Sequence, residues 1–345
     1  MFAYIGCRTT KHRNARGKGI SVYEITPEGW HLLGITPILE NPSYLAFDKN
    51  KYFLYTVHGD YEEVSAFKVE VDGSLTFLNT VSSEGKNPVY IEISPDNRFL
   101  YVATLQGGTV TTIPRLADGS LGKATSVAHI KGLSDDTVSL AHQCVLDKTG
   151  QWLLVPTQGR HIGHERIYVF KVNAETGELT EQSHIDARTY AEPRHLTISK
   201  DNRHVYVVNE KGNSVTYYDF DDAKGILTAL QIIPSLPETY TGQGQASAVL
   251  LSPSEEFLYE TNRIHESVAI YRVNKETGFL TNLGFTSVLG KTPRFFTFMP
   301  DGKQLLIANE DSDTLQLFDV DEEHGHLTFT GITVATASPT CVVFK

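Results

Sequence analysis

The sequence has few of the features that mark a membrane, secreted or zinc-binding protein. No apolar run approaches the roughly 18 residues of a membrane span, and the first residues, MFAYIG, lack a basic segment followed by a long apolar core. Only three cysteines occur (Cys7, Cys144 and Cys341), without CxxC spacing, which argues against a disulfide framework or a structural zinc site. We therefore expect a cytoplasmic protein whose cysteines are buried free thiols.

An excess of positive charge is also absent. The 345 residues include 41 acidic and 30 basic side chains, which gives a net charge of −11 at pH 7. Such a chain repels nucleic acid and anionic membranes, so we expect neither as a partner. Any anionic ligand must be held by a local cluster of basic residues.

The clearest positive signal is a hairpin that recurs along the chain. Residues 191–210, AEPRHLTISKDNRHVYVVNE, form one of seven copies, the last of them truncated at the C-terminus. A Pro or Ala near the start of each copy serves as its anchor, and successive anchors are 46 to 53 residues apart. The anchors are Pro42, Pro88, Ala141, Pro193, Ala246, Pro293 and Pro339. A period of this length indicates a repeat architecture.

Each hairpin is followed by a third alternating strand, such as RIYVFKV or SVAIYRV, and then by a turn and a short fourth strand. Four antiparallel strands per repeat without helical periodicity predict an all-β, seven-bladed β-propeller, formed by residues 1–345 as a single domain. The last copy ends after its first strand, and the N-terminal MFAYIGCRT matches a second strand. We expect these terminal strands to pair in one blade that closes the ring.

Two positions of each repeat should lie on one rim of the central channel. The first strand of a blade lines the channel and the second runs antiparallel beside it, so the start of one and the end of the other lie together. Position one, directly after the anchor, is Ser43, Val89, His142, Arg194, Ser247, Arg294 and Thr340. Position seventeen is Gly59, Leu105, Gln158, Glu210, Arg263, Glu310 and Arg8.

The charges at these positions are unevenly distributed. Blades three to seven, counted from Pro42, supply all of them, whereas blades one and two supply Ser, Val, Gly and Leu. This asymmetry predicts an anion-binding cleft on one side of the channel, because the planar fork of arginine matches a carboxylate or a phosphate. The basic loop at residues 8–19, RTTKHRNARGKG, opens onto the same rim; it is either a solvated loop or a means of attracting an anionic substrate.

Other polar residues have simpler interpretations. Asn209, Asn262 and Asn309 recur at strand ends, where side-chain amides satisfy backbone groups. Strand alternation puts His195 on the face opposite Arg194, so we expect it to pack between blades. His161 and His164 have the spacing of metal ligands, but they lie in a loop without further clustered ligands, and we predict no metal.

Several of these segments resemble one family. YIG with GKGISVYEI, EPRHLTIS with VYVVNE, SPSEEFLYETNRIHESVAIYRV and KTPRFFTFMPDGKQLLIANEDSDTLQLF are similar to the seven-bladed propeller lactonases. That family includes bacterial propeller-type 6-phosphogluconolactonases and fungal carboxy-cis,cis-muconate cyclases. The resemblance covers the whole chain and implies His142, Arg194, Glu210 and Arg263 as active-site residues, without a cofactor. Three departures bear on the substrate more than on the fold: Ala141 before the histidine, PTQGRHIGHER where the family has a DLG type of sequence at the end of that hairpin, and the longer basic loop.

Lactone hydrolysis needs a base for water, a stabiliser for the oxyanion and a proton for the leaving oxygen. Glu210 or His142 is the candidate base, with Arg194 and Arg263 as stabilisers. Arg8, Arg294 and Glu310, on the same rim, are candidates for substrate binding. An ion pair between Arg194 and Glu210 that only holds the strand ends is the structural alternative.

The predicted function is hydrolysis of a small anionic lactone, with 6-phosphoglucono-δ-lactone favoured by the resemblance. Cyclisation of a carboxylated muconate and hydrolysis of a non-phosphorylated aldonolactone are the enzymatic alternatives. A non-enzymatic scaffold or sensor is the third; its frequent repeat signature, GH with WD, does not occur, since neither Trp30 nor Trp152 precedes an Asp. The oligomeric state stays open.

Overall fold

The computed structural model describes all 345 residues, and its regular secondary structure is almost entirely β-strand. The only helical segment is one 3₁₀ turn at Lys11–Arg13, and no helix is long and apolar enough to cross a membrane. The chain begins with three strands of the closing blade, here blade seven. They are β1 (Phe2–Cys7), β2 (Ile20–Thr26) and β3 (Gly29–Thr36).

Blades one to three follow in chain order, each running from an inner to an outer strand. Blade one comprises β4 (Pro42–Phe47), β5 (Phe53–His58), β6 (Glu63–Val69) and β7 (Leu75–Ser82). Blade two comprises β8 (Pro88–Ile93), β9 (Phe99–Thr104), β10 (Thr109–Pro114) and β11 (Ser126–His129). Blade three has a divided inner strand, β12 (Leu140–Ala141) and β13 (Val145–Leu146), and then β14 (Trp152–Gln158), β15 (Arg166–Val172) and β16 (Leu179–Asp186).

The remaining blades keep the regular order. Blade four comprises β17 (Pro193–Ile198), β18 (His204–Asn209), β19 (Ser214–Asp221) and β20 (Ile226–Pro234). Blade five comprises β21 (Gln245–Leu251), β22 (Phe257–Arg263), β23 (Ser267–Val273) and β24 (Leu280–Ser287). Blade six comprises β25 (Pro293–Phe298), β26 (Gln304–Asn309), β27 (Thr314–Val320) and β28 (Leu327–Ala335). The last strand, β29 (Pro339–Phe344), completes blade seven.

The ring closes as the sequence predicts. β29 is the inner strand of blade seven and pairs antiparallel with β1, for example Ala3 opposite Phe344. Both ends of the chain are therefore hydrogen-bonded inside one sheet, in which β1 lies between β29 and β2. The prediction of a seven-bladed propeller closed in this way is confirmed.

The hydrophobic core is divided into seven clusters, one between each pair of neighbouring blades. Between blades three and four, for example, Trp152 and Leu154 pack against Val205 and Tyr218. Alternate residues of each strand contribute to the cluster on either side, because successive side chains of a strand point to opposite faces. All three cysteines are buried and free, as expected.

A β-bulge at position one sets the direction of the side chains at the channel. In blade four the register passes from Pro193 opposite Asn209 to His195 opposite Val208, so Arg194 has no partner residue. Blades one, two, six and seven skip their position-one residue in the same way, and in blade three the inner strand is interrupted after Ala141. A bulge re-aims the local side chains, and here it turns the first residues of each inner strand towards the channel mouth.

Candidate active site

A cavity of about 360 Å³ lies at the mouth of the channel and is here called the mouth cavity. Its lining residues come from six of the seven blades: Arg8, Ser43, Tyr44, Val89, His142, Arg194, His195, Arg294, Phe295 and Thr340. The structure thus brings four of the seven predicted site residues to one wall, namely Arg8, His142, Arg194 and Arg294.

Glu210 and Arg263, by contrast, lie behind Arg194. Nε of Arg194 and Nη2 of Arg263 are each 3.3 Å from Oε2 of Glu210, and all three side chains are less than 10% exposed. Gln158 donates to Oε2 of Glu210 at 2.9 Å, and Gln245 donates to Oε1 at 2.8 Å. The ion pair between Arg194 and Glu210, which the sequence offered as the structural alternative, is therefore present as part of a buried cluster with Arg263.

The electrostatics of this cluster favour a charged Glu210. Burial by itself raises the pKa of its carboxyl, but the charges of Arg263 and Arg194 and the two glutamine hydrogen bonds hold that pKa well below its usual range. Such a carboxylate is a weak base. It is well placed instead to orient Arg194.

Arg194 carries positive charge into the cavity wall. Its Nη1 donates to the carbonyl oxygen of Ser247 at 2.6 Å, while its Nε is buried without a hydrogen-bond partner. Burial, followed by the charges of Arg263 and Arg294, lowers the pKa of Arg194 well below its usual value, and Glu210 opposes this shift. An anion in the cavity would relieve the repulsion among these arginines.

Two further arginines of the wall have their own carboxylate partners. Nη1 of Arg294 is 3.3 Å from Glu310, and Nη1 of Arg8 is 3.1 Å from Asp60. Burial and the charge of Arg294 lower the pKa of Arg8 to about 10, and Asp60 opposes this shift. Glu310 stands beside Arg294 and does not line the cavity.

Asp60 is a rim residue that the repeat positions did not identify. It follows Gly59, one place beyond position seventeen, and it accepts hydrogen bonds from Arg8, Arg13 and Asn41. Burial raises the pKa of Asp60, but the hydrogen bond from Arg13 and the charge of Arg8 outweigh it and lower the pKa to about 2. Asp60 therefore adds a charge from blade one to the rim, although positions one and seventeen of blades one and two carry none. The sequence feature that could have identified Asp60 is the Asp60–Tyr61 pair directly after the hairpin of blade one.

His142 stands in the wall as a neutral imidazole. It is 5% exposed, and its Nδ1 is buried without a hydrogen-bond partner. Burial, together with the charges of Arg194, Arg294 and Arg160, holds the pKa of His142 well below its usual value. A neutral imidazole can accept a proton from water at physiological pH.

The expectation that His195 packs between blades is wrong. This side chain lines the mouth cavity, with its ring 5.2 Å from that of His142 and its nitrogens 3.4 Å from Nη1 of Arg194. The bulge at Arg194 is the physical reason, because an unpaired residue interrupts the alternation that would have put His195 on the other face. Burial and the charge of Arg194 hold its pKa well below its usual value as well.

The basic loop is folded over the rim. Arg13 forms an ion pair with Asp60 of blade one, and Arg16 forms one with Asp313 of blade six. Arg16 also donates to the backbone carbonyl of Glu310. Lys11 and Lys18 remain exposed. The two arginines therefore fasten the loop to the blades on either side of blade seven.

The remaining polar residues have local roles. Asn262 and Asn309 donate to backbone carbonyls of the preceding outer strand or loop, at Ser235 and Val288, as expected for strand-end amides. Asn209 donates to hydroxyl groups of its own blade instead. His161 and His164 lie in the loop after β14, and no group of three or more His, Cys, Asp or Glu side chains is arranged to hold a metal ion.

The arrangement offers groups that opening an ester or a lactone requires. Arginine forks can hold an anionic substrate and an oxyanion, and a neutral histidine can accept a proton from water and return it to the leaving oxygen. Tyr44, Val89 and Phe295 line the same cavity and give it an apolar part. The cavity is thus suited to a small anionic molecule with one apolar face.

The chain is similar to known proteins over its whole length. A sequence profile described as "Lactonase, 7-bladed beta-propeller" matches residues 2–344. The 6-phosphogluconolactonase of Bacillus subtilis (strain 168) is 29% identical over 350 residues, which cover 100% of this chain and 99% of the relative.

Solved structures agree in fold. The periplasmic gluconolactonase of Pseudomonas aeruginosa superposes with a TM-score of 0.87 at 26% identity, covering 99% of this chain and 98% of the other. A Lactobacillus plantarum protein superposes with a TM-score of 0.89 at 27% identity, covering 100% of this chain and 99% of the other. On the nearly complete match to the family profile and the seven closed blades, this chain belongs to the seven-bladed β-propeller lactonases.

Proposed function

We propose that this protein hydrolyses 6-phosphoglucono-δ-lactone to 6-phosphogluconate. The observation that carries the proposal is the convergence of Arg8, Arg194 and Arg294 with neutral His142 around one cavity. A phosphorylated lactone offers an anion to the arginine forks and a carbonyl carbon to a water activated by histidine. The lactonase family and the name of the Bacillus subtilis relative support the proposal.

His142 acts as the general base and Glu210 positions Arg194. The base takes a proton from water as the water oxygen attacks the lactone carbonyl carbon. Arg194 stabilises the resulting oxyanion. The ring C–O bond then breaks, and the leaving oxygen takes the proton back from the imidazolium of His142. Water is thereby added across the ring bond, and no other reactant is consumed.

The charge of the substrate assists this base. Burial and the charges of Arg194 and Arg294 disfavour the imidazolium form of His142. A bound phosphate offsets these positive charges, so it raises the pKa of His142 and makes it a stronger base when a phosphorylated substrate is present. A neutral lactone would not give this assistance.

A non-phosphorylated aldonolactone is the second candidate substrate, because the structurally similar Pseudomonas aeruginosa protein is named a gluconolactonase. The buried free thiols are consistent with a cytoplasmic location. That location remains a prediction, since the same neighbour is named periplasmic.

The experiment measures lactone opening at slightly acidic pH, where the spontaneous reaction is slower, with 6-phosphogluconolactone and gluconolactone. We expect the wild type to accelerate opening of the phosphorylated lactone selectively. His142→Gln should lose about 100- to 10,000-fold in kcat. Glu210→Gln should lower kcat by a smaller factor, because it loosens Arg194, which stabilises the oxyanion, but leaves the base intact. His184→Gln, an exposed histidine of blade three, is the matched control.

Three results would contradict the proposal in different ways. Selective opening of gluconolactone would assign the non-phosphorylated substrate. A greater loss of kcat in Glu210→Gln than in His142→Gln would exchange the roles of the two residues. No acceleration over buffer with either lactone would remove the hydrolase assignment, and a carboxymuconate cyclisation assay would then test the cyclase prediction.

A further inference from the structure

Glu260 departs from the pattern of the repeat. The residue fourteen places after each anchor, or its counterpart in blade seven, lies in the second strand of its blade and is fully buried in all seven blades. The other six blades place a β-branched side chain there: Ile5, Thr56, Val102, Val155, Val207 and Ile307. The propeller scaffold therefore does not need an acid at this position, and a valine fits the same place elsewhere in the ring.

The carboxyl of Glu260 is buried beside the backbone of Ser247 and the side chain of Asn262. The residue is 0% exposed, and neither carboxyl oxygen makes a hydrogen bond of good geometry. Burial raises the pKa of Glu260 well above its usual range, against the smaller opposing influence of the nearby Ser247 backbone and Asn262 amide. An unsatisfied polar group in the core costs stability relative to an apolar side chain. This cost is not required by packing, since six blades avoid it.

Glu260 adjoins the backbone segment that holds both arginines of the Glu210 cluster. The carbonyl oxygen of Ser247 accepts a hydrogen bond from Nη1 of Arg194 at 2.6 Å. The carbonyl oxygen of Ala246 accepts one from Nη2 of Arg263 at 2.9 Å. Both carbonyls belong to β21, the inner strand that pairs with the strand of Glu260.

The irregularity of that strand is longer in blade five than in its neighbours. In blades four and six the ladder skips one residue at position one. In blade five the pairing passes from Ala246 opposite Asn262 directly to Val249 opposite Glu260, so both Ser247 and Ala248 lie outside the ladder. The amide of Ala248 donates to the hydroxyl of Thr261 instead, at 3.1 Å. The longer gap in the ladder therefore ends at the pair that contains the buried acid, Val249 opposite Glu260.

We infer that Glu260 is a positioning residue for Arg194 and Arg263, acting through the backbone of Ala246 and Ser247. Its carboxyl lies beside the backbone of Ser247 and provides a polar partner for the bulged segment, which stabilises that segment relative to a regular ladder. The two carbonyls then stay where the guanidinium groups bind them. Glu260 does not reach the substrate. The inference rests on the proposed function of the mouth cavity.

The test compares Glu260→Val, which installs the residue of other blades, with Glu260→Gln, which keeps a polar group of similar shape. Ile307→Val changes the equivalent position of blade six and is the control. We expect the Val variant to melt at or above the wild-type temperature while kcat/KM for the phosphorylated lactone falls about tenfold, mainly through kcat, because Arg194 stabilises the oxyanion. The Gln variant should stay within about twofold of the wild type, as should the control.

A crystal structure of Glu260→Val separates this inference from the proposed function, because it requires no activity. We expect the distance between Nη1 of Arg194 and the carbonyl oxygen of Ser247 to exceed hydrogen-bond distance as the strand becomes regular. An unchanged distance, or wild-type KM and kcat in the Val variant, overturns the inference. A Val variant that fails to fold also overturns it, since Glu260 would then be a requirement of the blade itself. If the wild type has no lactonase activity but the hydrogen bond is broken in the variant, only the proposed function is overturned.

Discussion

Blades one and two offer the channel the same backbone as blades four and six, yet their side chains differ in kind. Val89 and Arg194 both occupy a bulge between an anchor proline and a paired residue. We call blades one and two the neutral half of the mouth and blades four to seven the cationic half. The comparison shows that the repeat fixes where a side chain points, whereas the identity of that side chain fixes the chemistry.

The comparison also shows a rule of charge pairing within a blade. In blades four and six an arginine at position one is paired with a glutamate at position seventeen, and both pairs are 3.3 Å apart. In the neutral half, Val89 is accompanied by Leu105 at position seventeen. A buried arginine needs a partner because an unpaired buried charge is strongly unfavourable. The charged side chains of the mouth therefore occur mainly as ion pairs.

The largest effect is expected from removing the central charge of the cationic half. Arg194→Ala should lower kcat/KM for the phosphorylated lactone about 100- to 1000-fold, because the oxyanion loses its stabiliser. Steady-state kinetics measure this loss, and circular dichroism checks that the variant is folded. Arg203→Ala removes an arginine from the far end of the same hairpin, where it pairs with Asp219, and should keep wild-type kinetics. Equal losses in both variants would contradict a specific role for Arg194.

The pairing rule is tested by introducing an Arg–Glu pair into blade two of the neutral half. Val89→Arg alone should lower the free energy of unfolding by about 2 kcal/mol, because it brings an unpaired charge towards other arginines. Adding Leu105→Glu should restore about 1 kcal/mol through the new pair. Urea denaturation of both single variants and the double variant gives the coupling energy. A coupling near zero would show that the repeat geometry does not by itself create the pair.

A change in pH tests how the cationic half controls His142. Its low pKa means that it stays neutral, and able to act as a base, to more acidic pH than an ordinary histidine. Replacing Arg294 with Gln removes a positive charge that disfavours the imidazolium. The pKa of His142 then rises, so the acid limb of the kcat/KM profile moves to higher pH. Arg203→Gln should leave that limb in place. A limb that stays fixed or moves to lower pH in Arg294→Gln would argue against His142 as the base.

The smallest effect concerns Asp60, the acidic residue of the neutral half. Its pKa is lowered to about 2 in the folded protein, against about 3.9 in an unfolded chain. Since the folded pKa is the lower one, its stabilising contribution is present above about pH 4 and is lost as the pH falls towards about 2. Asp60→Asn should therefore show a shallower loss of melting temperature over this range than the wild type. Asp135→Asn, whose side chain is 97% exposed, is the control and should follow the wild type.

Much of the candidate site is predictable because equivalent positions of the repeats lie at equivalent places in the blades. Equal spacing from an anchor identifies Arg8, His142, Arg194 and Arg294 as neighbours on one wall, although they come from four different blades. The same spacing also identifies Glu210 and Arg263, but it does not show that they lie behind Arg194. How far Glu210 and Arg263 lie behind the cavity wall depends on side-chain conformation and on hydrogen bonds from Gln158 and Gln245 to Glu210. The pattern of strands in the sequence does not contain this information.

The misplaced residues have a common cause. Strand alternation puts His195 on the wrong face because a bulge interrupts it at Arg194. The comparison of repeats does not identify Asp60, because this residue lies one place beyond position seventeen. Its backbone has a left-handed conformation with φ of 74°. A single unpaired or left-handed residue changes the direction of its neighbours without changing the hydrophobic period. Sequence periodicity is therefore insensitive to the local distortions that build the mouth.

The sequence by itself determined the seven blades, their closure through the two ends of the chain, and the set of charged residues on one rim. It did so because strand alternation and a period of about fifty residues are encoded locally and repeated. Only the tertiary structure decided which arginines face the cavity, which carboxylates hold them, and that His142 is neutral beside His195. These properties arise from bulges, burial and charges brought together from distant parts of the chain, and no single repeat contains them.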